Sequence, residues 1–97
     1  MTYLLVYDIT NDKLRKKIAD CLIAQGFERL QFSVFIGNRN LENYKDIWTK
    51  LTDWVTQDNG KMAIVSITEP ALRNMIMLGE HPVDIDYLLG KKFCIFV

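Results

Sequence analysis

The chain has 97 residues, 49% of them hydrophobic and 25% charged. That length suits one domain with a core able to fold alone, and that composition excludes a disordered tail protein. Twelve Lys and Arg balance twelve Asp and Glu, so no overall field steers the chain toward nucleic acid and any such binding must come from local patches.

No apolar run approaches the roughly 20 residues that span a bilayer, and Met1 leads straight into a strand pattern rather than a signal core. The expectation is a cytoplasmic protein with no membrane contact. Two cysteines, Cys21 in a helix pattern and Cys94 in the last strand pattern, suit free thiols in a reducing compartment. His81 is the only histidine, which leaves no Cys/His metal cluster and no triad with two histidines to choose from.

Residues 3–9 are apolar almost throughout, the pattern of a strand covered on both faces and therefore central in its sheet. Thr10, Asn11 and Asp12 supply N-cap chemistry for a helix that places Leu14, Ile18, Cys21, Leu22 and Gln25 on one face and ends at Gly26, a C′ residue. From Phe27 to Gly37, Leu30, Phe32, Val34 and Ile36 alternate with Gln31, Ser33 and Phe35, which predicts one long, bent or bulged strand. Asn38 to Asn40 turns the chain. Leu41, Tyr44, Trp48, Leu51 and Val55 then recur at helical steps, and Asp58-Asn59-Gly60 closes this second helix.

Met62 to Thr68 reads as a strand ended by Glu69-Pro70. Residues 71–78 fit helix or strand, and the expectation is a strand. Glu80 to Gly90 is turn-rich, and Phe93 to Val97 forms a final apolar strand. The order predicts one α+β domain over 1–97, a ferredoxin-like sandwich with an antiparallel sheet, two helices and extra C-terminal strands. Residues 1–80 form its core, and 81–97 a turn and strand that meet a partner.

Asp8 is the sharpest chemical candidate. A carboxylate at the end of an apolar strand offers the oxygen ligand that Mg2+ or Mn2+ prefers. One carboxylate is few for metal-assisted phosphodiester hydrolysis, and Asp12 is open to use as a helix cap. A homodimer with its axis beside the first strand would set two copies of Asp8 face to face around a shared ion. The plainer reading, of equal weight, has Asp8 accepting hydrogen bonds from turn amides.

Lys13, Arg15, Lys16 and Lys17 put four cations into five positions, with Asp12 and Asp20 the nearby acids. On the helical wheel Lys13, Lys16 and Lys17 point away from the apolar face and Arg15 sits at its edge. Such a group can neutralise phosphates, although a merely solvated helix face is the commoner case. Arg29, Arg39, Lys91 and Lys92 are candidates to extend the patch. Ser33 could donate to a phosphate or to Asp8, or be satisfied by backbone. Trp48, Trp54, Phe32 and Phe35 raise base stacking, but Trp48 lies on the apolar stripe and reads as core.

Val6-Tyr7-Asp8-Ile9, the helix start Lys13-x-Arg15-Lys16-Lys17 and Gln31-x-Ser33-Val34-Phe35 form an ordered set. That set resembles the CRISPR-associated protein two family, the small universal subunit of CRISPR spacer acquisition. The likeness spans most of the chain and extends to Ile64-Val65-Ser66-Ile67, Met75-Ile76-Met77-Leu78-Gly79 and Phe93 to Val97. It implies a ferredoxin-like homodimer that bridges dimers of the larger integrase subunit and holds duplex foreign DNA, while the integrase performs strand transfer.

The resemblance also implies a metal-dependent endonuclease acting on RNA or DNA, with Asp8 as the catalytic residue binding Mg2+ across the dimer. It sets Lys13, Arg15 and Lys17 against DNA phosphates; the reading of the residues themselves adds Lys16 and, as auxiliaries, Ser33 and Arg39. The integrase contact falls on Lys92, Phe93, Cys94, Ile95, Phe96 and Val97. One branch of the family follows a Gly-Glu turn with two arginines. Gly79-Glu80-His81-Pro82-Val83-Asp84 keeps that frame without them, which implies that part of that branch's DNA grip is missing.

The main role read here is structural. Two other readings compete with it: a stand-alone, toxin-like metal-dependent endoribonuclease, and a small-ligand regulatory module of the same fold.

Overall fold

The computed structural model describes residues 1–76 and 78. Strand β1 (Thr2–Asp8) leads to helix α1 (Asp12–Ala24), then strands β2 (Glu28–Gln31) and β3 (Val34–Gly37). A 3₁₀ turn (Leu41–Asn43) and helix α2 (Lys45–Gln57) follow, then strand β4 (Lys61–Ile67) and a short helix α3 (Glu69–Arg73). The strands lie in the order β2-β3-β1-β4 with every neighbouring pair antiparallel. Interlocked βαβ halves of this order are the ferredoxin-like arrangement that the sequence predicts.

Period-two alternation splits β1 between two clusters. Leu5, Tyr7 and Ile9 join Leu14, Ile18, Leu22, Phe35 and Leu51 under α1 and α2 in the main core. Leu4 belongs instead to a smaller cluster with Leu30, Ile36 and Leu72, against which Val34, Ile67 and Met75 pack. The central placement of β1 therefore follows from its two apolar faces, as its sequence implies. Its second face is covered only in part: Val6 stays 39% exposed and Val65 48%.

Three expectations need correction. Phe27 to Gly37 is a hairpin, not one strand: Gln31 pairs with Val34 across the turn at Phe32 and Ser33. A bulge between Arg29 and Gln31 keeps Leu30 in the same cluster as Val34 and Ile36. The alternation thus survives the reversal and reads as unbroken. The Ser33 carbonyl accepts the Tyr7 N–H at 3.1 Å, which ties the turn to β1.

The strand expected over 71–78 is in its first part helix. Thr68 Oγ1 accepts the Ala71 N–H at 3.3 Å, Pro70 occupies the first turn, and Arg73 pairs with Glu69 at 3.2 Å. These are start signals that outweigh short length. Leu72, 1% exposed, docks this helix on the second sheet face. The second helix, expected from Leu41, begins as a 3₁₀ turn and becomes α-helical at Lys45. The C-terminal strands expected after residue 78 lie outside the described residues.

The loop after β1 is tightly held. Asn11 caps α1 by accepting the Leu14 N–H at 3.0 Å, and Gly26 (φ +88°) ends it as expected. The Asp58 carboxylate accepts from Thr10 N–H at 2.7 Å and from the Thr10 hydroxyl at 3.1 and 3.2 Å. Beside it, a Cβ on Gly60 would lie 2.8 Å from the Asp8 carbonyl oxygen, so only glycine lets the end of α2 approach so closely. Asp58→Ala is expected to cost about 1 kcal/mol, seen as a lower urea midpoint with an unchanged slope.

Candidate metal and nucleic-acid site

Asp8 ends β1, the central strand. By alternation it projects with Leu4 and Val6 to the partly open sheet face, away from α1 and α2. It is exposed, and its carboxylate makes no hydrogen bond or ion pair among the described residues; it is not held by turn amides. Its cross-strand partner is Lys61, which places a cation on the same face with Cβ atoms about 5 Å apart.

A magnesium ion keeps several waters and takes one or two carboxylates. The donor chemistry of Asp8 fits that ion. Donor number does not, because no group of three or more His, Cys, Asp or Glu side chains among the described residues is arranged to hold a metal. Asp12, the nearest acid in sequence, is not a helix cap; it is turned to Arg15, with which it forms an ion pair. One chain alone therefore offers a single ligand beside a competing lysine.

Helix α1 lies on the other side of the sheet. Leu14, Ile18, Ala19 and Leu22 are buried, and Lys13, Lys16 and Lys17 face solvent, as the helical wheel predicts. Arg15 is half-buried at the edge, its side chain 31% exposed. Two of the four cations are locally matched: Arg15 with Asp12, and Lys16 with Asp20 at 2.9 Å. Among the described residues Lys13 and Lys17 form no ion pair.

Ser33 sits on the hairpin turn and uses its carbonyl on Tyr7. Its hydroxyl makes no bond among the described residues. Arg39 is not part of this group. It follows β3, whose end Gly37 pairs with Tyr3, at the opposite end of β1 from Asp8. There it reaches Gln25 Oε1 at 3.4 Å and lies over the Tyr44 ring at 5.5 Å.

Sequence reasoning missed how Tyr7, Arg29 and the hairpin come together. Arg29 lies opposite Phe35 across the bulged hairpin, its guanidinium over that ring at 5.0 Å. The Tyr7 and Phe35 rings stack at 6.2 Å. Burial pushes the Tyr7 hydroxyl above its ordinary pKa, partly offset by the charge and hydrogen bond of Arg29 and by the charge of Arg15. Recognising the hairpin from its two-residue turn would have revealed these neighbours. Phe35, Trp48 and Trp54 belong to the core or pack on it, whereas Phe32 is 67% exposed. Cys21 is a half-buried free thiol whose pKa burial raises, and Lys92 to Val97 lie outside the described residues. Among the described residues no helix is long and apolar enough to cross a membrane.

The fold and the placement of these groups define a small ferredoxin-like protein with one sheet face clothed by two helices and the other partly bare. Comparison with known proteins makes this specific. The family model for CRISPR associated protein Cas2 matches residues 1–75, and the chain belongs to that family. A CRISPR-associated endoribonuclease Cas2 of Pyrobaculum aerophilum is 37% identical over 82 residues, covering 84% of this chain and 90% of the relative. A CRISPR-associated endonuclease Cas1/endonuclease Cas2 fusion of Thermoproteus tenax is 29% identical, covering 84% of this chain and 31% of the fusion. The crystal structure of Streptococcus pyogenes Cas2 shares the fold with a TM-score of 0.64 at 21% identity, covering 81% of this chain and all of that one.

Proposed function

We propose that this Cas2 protein is a homodimeric subunit of CRISPR spacer acquisition that holds duplex DNA and bridges a Cas1-type integrase. The observation that carries this reading is the second sheet face. Val6 and Val65 are large apolar side chains left 39% and 48% exposed in the middle of adjacent strands, and such a face is normally buried against another surface. Pairing two copies through it would cover both valines and bring two Asp8 carboxylates to one seam.

Two facing carboxylates would supply what one chain lacks, a pair of oxygen ligands for Mg2+ or Mn2+. The bound ion would polarise a phosphoryl oxygen and activate water. Asp8 would hold the ion, and Lys61 would offset the negative charge gathered there. The integrase partner is favoured by the Thermoproteus tenax relative, in which Cas1 and Cas2 are one fusion. The segment proposed to meet it is Lys92 to Val97.

The solvent-facing row of Lys13, Lys16 and Lys17, flanked by Arg15, suits the phosphate rail of a duplex and carries no means of reading sequence. The triple substitution of Lys13, Arg15 and Lys17 by Ala is expected to weaken duplex binding. It should also lower the slope of log affinity against log salt by about 0.9 for each lost contact, as measured by fluorescence anisotropy over a salt series. Unchanged affinity would assign the DNA to another face.

A second reading is favoured by relatives that bear the name endoribonuclease. In it the paired Asp8 site cleaves RNA with a magnesium-activated water, independently of any integrase.

A further inference from the structure

Phe32 occupies the tip of the β2–β3 hairpin, where turn residues are ordinarily small or polar, and two-thirds of its surface is open to solvent. Two guanidinium groups lie over its ring, Arg15 at 5.3 Å and Arg29 at 5.8 Å. They come from different elements, and each has a second anchor. Arg15 is paired with Asp12, and Arg29 rests on Phe35 at 5.0 Å. A groove of about 340 Å³ runs beside the ring between hairpin and α1, with Lys16 and Asp20 on its wall.

The chemistry of this groove differs from that of the lysine row. Arg15, Lys16 and Arg29 are opposed by Asp12 and Asp20 along the same lining, so little net charge remains to attract a polyanion. What the groove offers is an aromatic ring still 67% exposed with two guanidinium groups over it, and room for one nucleotide rather than a helix. Inside a duplex both faces of each base are occupied by neighbours, so only an unpaired base can lay a face on such a ring.

We propose that Phe32 is a stacking platform for one unpaired nucleobase of single-stranded RNA or DNA, with Arg29 and Lys16 placed for its phosphate. This rests on the nucleic-acid reading above and adds a preference for unpaired strand that the lysines of α1 cannot supply. The alternative, an inert ring shielded by two arginines, predicts no effect on any ligand.

The test uses the full-length protein in chelator, titrated by fluorescence anisotropy against a labelled oligothymidine and against a long blunt-ended duplex. Phe32→Ala should weaken oligothymidine binding about tenfold and leave duplex affinity and thermal midpoint unchanged, and Phe32→Trp should restore the single-strand affinity. Equal single-strand affinity in wild type and Phe32→Ala overturns the proposal. So does an equal loss on both probes, which would make Phe32 a residue of general structure. A wild type that binds the single strand through Phe32 yet ignores the duplex overturns the duplex-holding reading and leaves this one standing.

Discussion

Val6→Lys is expected to leave the protein folded and to make it a monomer. Residue 6 lies midway along the apolar part of β1, opposite Val34 on one side and Ala63 on the other. Any pairing of two sheets through this face buries it. The side chain is open enough in the single chain, 39% exposed, for a lysine to carry its ammonium out to solvent there. In a dimer each copy would lose about 1 kcal/mol of burial, the share of a valine still exposed in the single chain, and gain an ammonium stranded without a partner. The dimer dissociation constant should rise at least about a hundredfold. Sedimentation velocity reads the change, with circular dichroism confirming the fold. A wild type that sediments as a monomer, or a variant that still pairs, removes the basis for the shared metal.

Asp8→Asn is the second large effect. The change keeps shape and removes the anionic ligand, so magnesium-dependent cleavage of an oligonucleotide should fall by about a thousandfold, equivalent to roughly 4 kcal/mol. Duplex affinity should stay level, because the lysine row lies elsewhere. Thermal stability provides a readout independent of catalysis. Two facing carboxylates repel each other without a cation, so magnesium should raise the melting temperature of the wild type and leave that of the variant unmoved. Cleavage that survives the substitution, or persists in excess chelator, would dismiss Asp8 as the metal ligand.

Much of the frame is written in periodicity. Residues 3–9 are apolar on alternate sides, and β1 lies at the centre of the sheet; Leu14, Ile18 and Leu22 mark the buried side of α1. The lysines of α1 were equally legible, since exposure on a helix follows from the wheel alone. The hairpin was not, because the bulge at Arg29–Gln31 preserves the alternation that a reversal would normally break. Its loss hid the neighbourhood of Phe32, Arg29 and Tyr7, which depends on cross-strand pairing rather than spacing along the chain. Helix α3 was missed for a different reason: its signals, Thr68 and Pro70, precede the segment whose composition was weighed. Arg39 shows the limit of charge counting, since two residues past the end of β3 carry it to the far pole of the strands.

Asp8 and the cations of α1 stand on opposite sides of one sheet. A polymer resting on the helices is screened from its own protomer's carboxylate by a full layer of packed side chains, so carrying a strand does not entail severing it. Either capacity could decay through mutation while its counterpart persisted undamaged.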